Sequence, residues 1–190
     1  MTRKFSKILI YTGLFIILIL GAFYLANLAG KSEFIRDLIH NFGYTGIFLV
    51  AIITGFNLVV PIPAFTLLPL FIESGFNFWP SILVVSLGLS VADAIGYFLG
   101  KIGREIIMNA GERKILGRLE KIKERYEYAP LAILFLTASF IPMPNELVVI
   151  PLAFLGYKLR LILPILFIGH LIFNFLYATG IINIFEIFSR

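Results

Sequence analysis

From Leu38 to Ile72 the chain runs 35 residues without Asp, Glu, Lys or Arg. A membrane-crossing helix takes about 20 apolar residues, so this run is too long for one crossing and too short for two. It is broken at "PIP", Pro61 to Pro63. A proline inside a helix removes a backbone hydrogen bond and clashes with the preceding turn. The arms it leaves, Tyr44 to Val60 and Ala64 to Glu73, are short for crossing about 30 Å at about 1.5 Å per residue. The run therefore reads as a re-entrant hairpin that enters, turns at the prolines and leaves by the same face.

Composition supports a lipid environment. The chain has 190 residues, 59% of them hydrophobic and 14% charged, with a mean hydropathy of +0.97. Soluble domains carry about 25% charged residues, so an all-α integral membrane protein is expected, built as a single membrane domain over 1–190. There is no cysteine, which excludes a disulfide framework and any thiolate nucleophile or metal ligand. The net charge of +5 comes from basic clusters between apolar runs. These read as loop charges that orient a membrane protein, and no nucleic-acid partner is expected.

The remaining segments follow. Residues 8–30, uncharged and preceded by Arg3, Lys4 and Lys7, read as an uncleaved first span. "KSEFIRDLIHNFGY" reads as a short stretch on the membrane surface. Phe78 to Gly100 is long enough to span and opens with "FWP", an aromatic belt signal. Lys101 to Glu127 carries Ile115, Leu119, Ile122 and Tyr126 at helical spacing, which predicts an amphipathic surface helix interrupted near Gly111. Then Tyr128 to Phe140 enters, "PMP" breaks it at Pro142 and Pro144, Asn145 to Gly156 returns, and Leu161 to Phe185 spans.

The second half resembles the first. A shift of 81 residues places Pro61 on Pro142, Pro63 on Pro144, Gly75 on Gly156 and Gly88 on Gly169, and Asp93 falls on Asn174. Those four identities are all proline or glycine, the residues with backbone consequences. If each half is a hairpin plus a span, 44–100 and 128–185 start from opposite faces, joined by the 101–127 linker. That is an inverted repeat, an arrangement common in transporters. Arg3, Lys4, Lys7, the eight bases from Lys101 to Arg125, Lys158 and Arg160 share one face, against Lys31, Arg36 and Arg190 on the other. The positive-inside rule then puts the N-terminus in the cytoplasm and the C-terminus outside, in a multi-pass plasma-membrane protein.

Broken backbone in lipid is tolerated only where protein or a wet cavity covers it. Two breaks approaching from opposite faces would meet near the midplane. Each return arm begins a half-helix there, at Ala64 and Asn145, whose free N–H groups favour anions; Asn145 is a candidate cap. Glu146 and Asp93 are carboxylates in apolar surroundings. Such groups usually face a cavity, a partner or a proton path, and burial disfavours their charged form. Asp93 has a second reading. In "ADAIGYFLGKIG", Gly96 and Gly100 allow close helix contact, so Asp93 could bond across a helix interface. With Gly75, Gly88, Gly156 and Gly169 they form the set of candidate packing glycines. His170 and Asn174 share a face of the last span, but a protease of the HxxxN kind needs further metal ligands. No metal or cofactor is expected, and no catalytic signature is present.

"VPIPAFTLLPLFIESGF", "ADAIGYFLGKIG" and "RYEYAPLAILFLTASFIPMPNELVVIPLAFLGY" together resemble the DedA or VTT-domain superfamily, also called the SNARE-associated Golgi protein family. The resemblance covers most of Phe56 to Gly180. It implies two opposed re-entrant hairpins and a role as a lipid scramblase or carrier, including carriers of polyprenyl phosphate. The chain departs from the family pattern where arginines flank the second break. Ser139 stands at one such position, and Asn145 with Glu146 at the other. Phe65 stands where an acid usually follows the first break. Anion attraction is then left to the half-helix starts and the basic rim of Lys101, Arg104, Lys158 and Arg160.

The function expected is movement of a lipid between leaflets through a gap between the hairpins. Glu146, Asp93, Asn145 and Asn174 would line the path, and protons or a second copy of the chain are admissible partners. A small-ion or metabolite carrier, and a scaffold docking partners through 101–127, are the alternatives. An enzyme is not expected.

Overall fold

The computed structural model describes residues 33–55, 64–102 and 110–188. The first span at 8–30, the prolines Pro61 and Pro63, and Arg104 lie outside the described residues. Every described element is a helix: α1 (Glu33–Phe42), α2 (Tyr44–Gly55), a 3-10 turn (Ala64–Leu67) running into α3 (Leu68–Glu73), α4 (Phe78–Ile102), α5 (Ala110–Arg125), α6 (Ala129–Phe140), α7 (Glu146–Phe154) and α8 (Leu159–Phe188). Residues 78–101 of α4 and 159–180 of α8 are each long and apolar enough to cross a membrane, whereas α2 and α6 are shorter apolar helices. Helix α5 begins at Ala110, next to Gly111, and residues 103–109 before it lie outside the described residues.

Local chemistry sets the helix ends. Pro69 and Pro130 occupy the first turns of α3 and α6, where a missing N–H costs nothing. Helix α6 stops because Pro142 forces the residue before it out of the helical region: Ile141 has φ −118° and ψ 119°. The ends of α3 and α7 are built alike. Gly75 (φ +91°) and Gly156 (φ +82°) adopt the left-handed conformation. The Phe76 N–H then reaches the Phe71 carbonyl and the Tyr157 N–H the Leu152 carbonyl. This paired-bond glycine stop satisfies carbonyls at the helix end. Neither glycine has any atom within 4 Å of an added Cβ. Gly75 and Gly156 are therefore turn residues, not packing residues.

Helices α2 and α4 run side by side in the same direction. The Asn77 N–H, just before α4, donates to the Tyr44 hydroxyl at the start of α2 (3.0 Å), and further along Gly88 sits on Ala51 and Gly55 on Ala92. Helices α6 and α8 do the same. The Tyr157 hydroxyl, just before α8, donates to the Glu127 carbonyl just before α6, and Gly169 sits on Ala138. Each long helix also packs against the short helix of the other half, α7 on α4 and α3 on α8, while α4 and α8 cross each other.

Two apolar clusters result. One joins α2, α3 and the first half of α4 through Ile47, Val50, Phe71, Ile82 and Val85, and takes Ala178 from α8. The other joins α6, α7 and the first part of α8 through Leu134, Val149, Leu152, Ile162 and Leu166, and takes Tyr97 from α4. Leu119 of α5 is buried in this second cluster. The Lys123 ammonium donates to the Leu155 carbonyl at 2.6 Å and lies 5.0 Å from the Tyr157 ring centre. Helix α5 is thus docked on protein through Leu119 and Lys123, while Tyr126, expected on its apolar face, is exposed.

Candidate functional site

On α4, Asp93 lies between the residues that feed the first cluster and Tyr97, which feeds the second. On α8, His170 and Asn174 lie between Leu166 and Ala178. The polar residues of both long helices thus meet between the two apolar packs. At about 1.5 Å per residue, Asp93 stands roughly 13 Å in from the Ile102 end of α4 and His170 roughly 17 Å from the start of α8.

All the groups here are buried: Asp93 is 3% exposed, His170 5%, Asn145 9%, and Ser86, Ser139, Glu146 and Asn174 are fully enclosed. The His170 Nε2–H donates to Asp93 Oδ2 at 2.7 Å. Asn174 Nδ2 donates to Ser86 Oγ at 2.9 Å. These two bonds tie α4 to α8. The Asn145 side-chain amide approaches the same His170 nitrogen at 3.5 Å, which brings the start of α7 to the crossing. Gly96 gives Glu146 its place: a Cβ there would stand 3.3 Å from the Glu146 Cγ, and one at Gly100 would stand 3.1 Å from Ile150. Gly96 and Gly100 are therefore the seat of α7, one turn apart beneath residues one turn apart. Among the described residues, no hydrogen bond reaches Asn145 Oδ1, Asn174 Oδ1 or Ser139 Oγ.

Several expectations change. Asn145 occupies the cap position of α7 but has helical φ and ψ and makes no side-chain cap bond; its amide turns to His170 instead. The N–H groups of Leu147 and Val148 are bonded to the Pro144 and Asn145 carbonyls, so they are not free donors for an anion. The Glu146 carboxyl in the first turn complements the helix dipole itself. Asp93 bonds across a helix interface, with His170 as partner. In the sequence His170 carries no complete metal or protease signature and so does not stand out. The signal that finds it is burial: a deep histidine and a deep carboxylate on separate spans are natural partners. Ser86 was missed too, although Ser86, Ser90 and Asp93 form a polar stripe at helical spacing.

The position 81 residues before Glu146 is Phe65, and the position 81 residues after Gly96 is Tyr177. Phe65 packs edge-on against Tyr177 (4.7 Å between ring centres) and Phe173 (4.9 Å). So the contact made by a carboxylate over a glycine in one half is made by two aromatic rings in the other. Of the basic rim, Lys101, Lys158 and Arg160 are exposed. The Tyr97 hydroxyl donates to the Tyr157 carbonyl at 2.8 Å, which holds the end of α4 beside the start of α8 and groups these bases at one end of the molecule. Pro142 and Pro144 lie in the non-helical turn between α6 and α7.

No curated protein and no solved structure matched the chain. The family model of the VTT domain matches residues 60–182, a stretch that holds both span-length segments, 78–101 and 159–180, the turn at Pro142–Pro144 and the whole buried polar crossing. The chain belongs to the VTT-domain family, the domain of the DedA and SNARE-associated Golgi proteins.

Proposed function

We propose that this protein moves a membrane lipid, a phospholipid or a polyprenyl-phosphate-like lipid, between the two leaflets. Family membership places it among membrane-associated proteins linked to transport. One observation carries the finer reading: a polar crossing between two span-length helices, far from either end, with three buried oxygens that accept nothing from the described protein. Buried acceptors of this kind are completed by water or by a ligand. A headgroup passing the crossing would exchange hydrogen bonds with Asn145, Asn174 and Ser139 while its tails stay in the bilayer.

The inverted-repeat reading rests on the parallel pairs α2–α4 and α6–α8, on the matching glycine stops at Gly75 and Gly156, and on the contact of each short helix with the long helix of the other half. In that reading 44–73 and 128–156 are re-entrant hairpins from opposite faces, and the grouped bases Lys101, Lys158 and Arg160 mark the cytoplasmic end. The scaffold alternative is disfavoured because α5 already spends Leu119 and Lys123 on α7 and the turn after it. No catalytic activity is assigned.

Reconstitution tests the proposal. Liposomes holding the protein and a lipid with a fluorescent headgroup label should expose inner-leaflet label to dithionite faster than empty liposomes. An unchanged rate across phospholipid and polyprenyl-phosphate probes would refute it. A small-solute carrier would instead show solute flux with no lipid movement.

A further inference from the structure

The two kinds of helix contact in this molecule differ in chemistry. Within each half, glycine sits on a methyl group: Gly88 on Ala51, Gly169 on Ala138. Between halves, α4 and α8 are fastened by Asp93–His170 and Ser86–Asn174. Packed apolar seams hold one geometry. A bond between two ionisable groups in apolar surroundings changes strength when a proton arrives or leaves. Histidine is the side chain whose ordinary charge change falls between about pH 5 and 8.

We propose that Asp93 and His170 form a one-proton coupling site that fastens α4 to α8 when it is occupied and loosens them when it is empty. The proposal rests on the transport reading above and names what drives it. Without the extra proton, a neutral imidazole donates Nε2–H to the Asp93 carboxylate and the pair carries one negative charge. A proton from water adds to Nδ1 and the pair becomes imidazolium and carboxylate, with no net charge; release returns that proton to water, and no other bond forms or breaks. Burying a lone net charge costs more than burying a matched pair. Occupancy therefore favours the packed crossing seen here, and release favours a crossing that admits water or a headgroup.

Few titratable groups surround the pair. From α4 they are Asp93 itself and the buried Tyr97, one turn on; helix α2, packed along α4, carries Tyr44 at its far end. From α7 it is Glu146, beside Asn145 and fully buried. Helix α6, packed along α8, carries no titratable residue, and that of α3 is Glu73 at its far end. On α8 Tyr177 is two turns away. No lysine or arginine lies in the described helices between Trp79 and Leu99 or between Leu161 and Gly180.

Two measurements on the full chain separate this proposal from the transport reading. The chain has two histidines, His40 and His170, so nitrogen-15-labelled histidine in a His40→Gln background gives one imidazole to follow by NMR. The His170 nitrogen signals should change as the pH is varied, and Asp93→Asn should alter that change. In the dithionite assay, lipid movement should respond to an imposed pH gradient, and His170→Gln, checked for a monodisperse elution profile, should lose that response. Glu146→Gln is the competing arm, which asks whether the response rests on that carboxyl instead. Overturning results are a His170→Gln protein with the wild-type gradient response, an imidazole that Asp93→Asn does not affect, or a gradient response lost only in Glu146→Gln. If no lipid moves in the wild type but the imidazole signals change as stated, the transport reading fails and the proton site stands.

Discussion

Adding one methyl group at Gly88 should drive α2 away from α4. An alanine Cβ there would lie 2.6 Å from the Ala51 Cβ and 2.9 Å from the Phe48 carbonyl oxygen. Carbon atoms pack at about 3.5–4.0 Å, so the seam must open by about 1 Å. Neither neighbour is the loose end of a flexible side chain. Overpacking of this kind costs about 1–3 kcal/mol, against a gain of about 1 kcal/mol for replacing glycine by alanine in a helix. The net loss is therefore up to about 2 kcal/mol, or up to roughly 8 °C in melting temperature at this chain length. Gly117 in α5 provides the control, since nothing lies within 4 Å of its added Cβ. Gly117→Ala should show the propensity gain alone and melt higher. Thermal unfolding of the purified variants in detergent reads both. Adding Ala51→Gly to Gly88→Ala removes the closer clash and should restore part of the loss, a coupling that a double-mutant cycle isolates. A Gly88→Ala protein as stable as Gly117→Ala would refute the close-contact argument.

Three further outcomes are expected. Asp93→Ala leaves the buried His170 N–H without its acceptor and should destabilise the protein by about 1–3 kcal/mol, read by the same melt; Asp93→Asn, which keeps an acceptor oxygen, should lose less. Ser86→Ala removes the acceptor for Asn174 and should cost about 0.6 kcal/mol, the size typical of hydrogen bonds between membrane helices. Lys123→Met removes a charged donor from the Leu155 carbonyl and should cost about 1.5–3 kcal/mol, with proteolysis of the 110–127 segment accelerating as α5 loosens.

The sequence shows the break at Pro142 and the spans at 78–101 and 159–180 clearly because proline, glycine and charge act through backbone and solvation, which are local. Pro142 stops α6 through the residue before it, and Gly75 and Gly156, which the 81-residue shift places on each other, stop α3 and α7. What it does not show is partnership. Nothing near Asp93 in the sequence names its partner, His170, 77 positions away. Asn145 looks like a cap by type and position, yet its amide faces His170. The packing glycines divided for the same reason: Gly88, Gly96, Gly100 and Gly169 meet a neighbour, whereas Gly75 and Gly156 meet none, and nothing in their local sequence distinguishes the two roles.

The span of 77 residues between Asp93 and His170 also has a consequence in time. Chains are synthesised at about 5–20 residues per second, so Asp93 waits roughly 4–15 s before its partner exists. The contacts within the first half close much sooner, since Tyr44 and Asn77 are only 33 residues apart. A nascent chain therefore completes its first helical unit and then carries an unmatched carboxyl on a membrane-length helix. Only arrival of the last helix discharges that debt. The same pair that fastens the finished protein thus marks an unfinished one, and a chain truncated before His170 is expected to be held or degraded rather than accumulate.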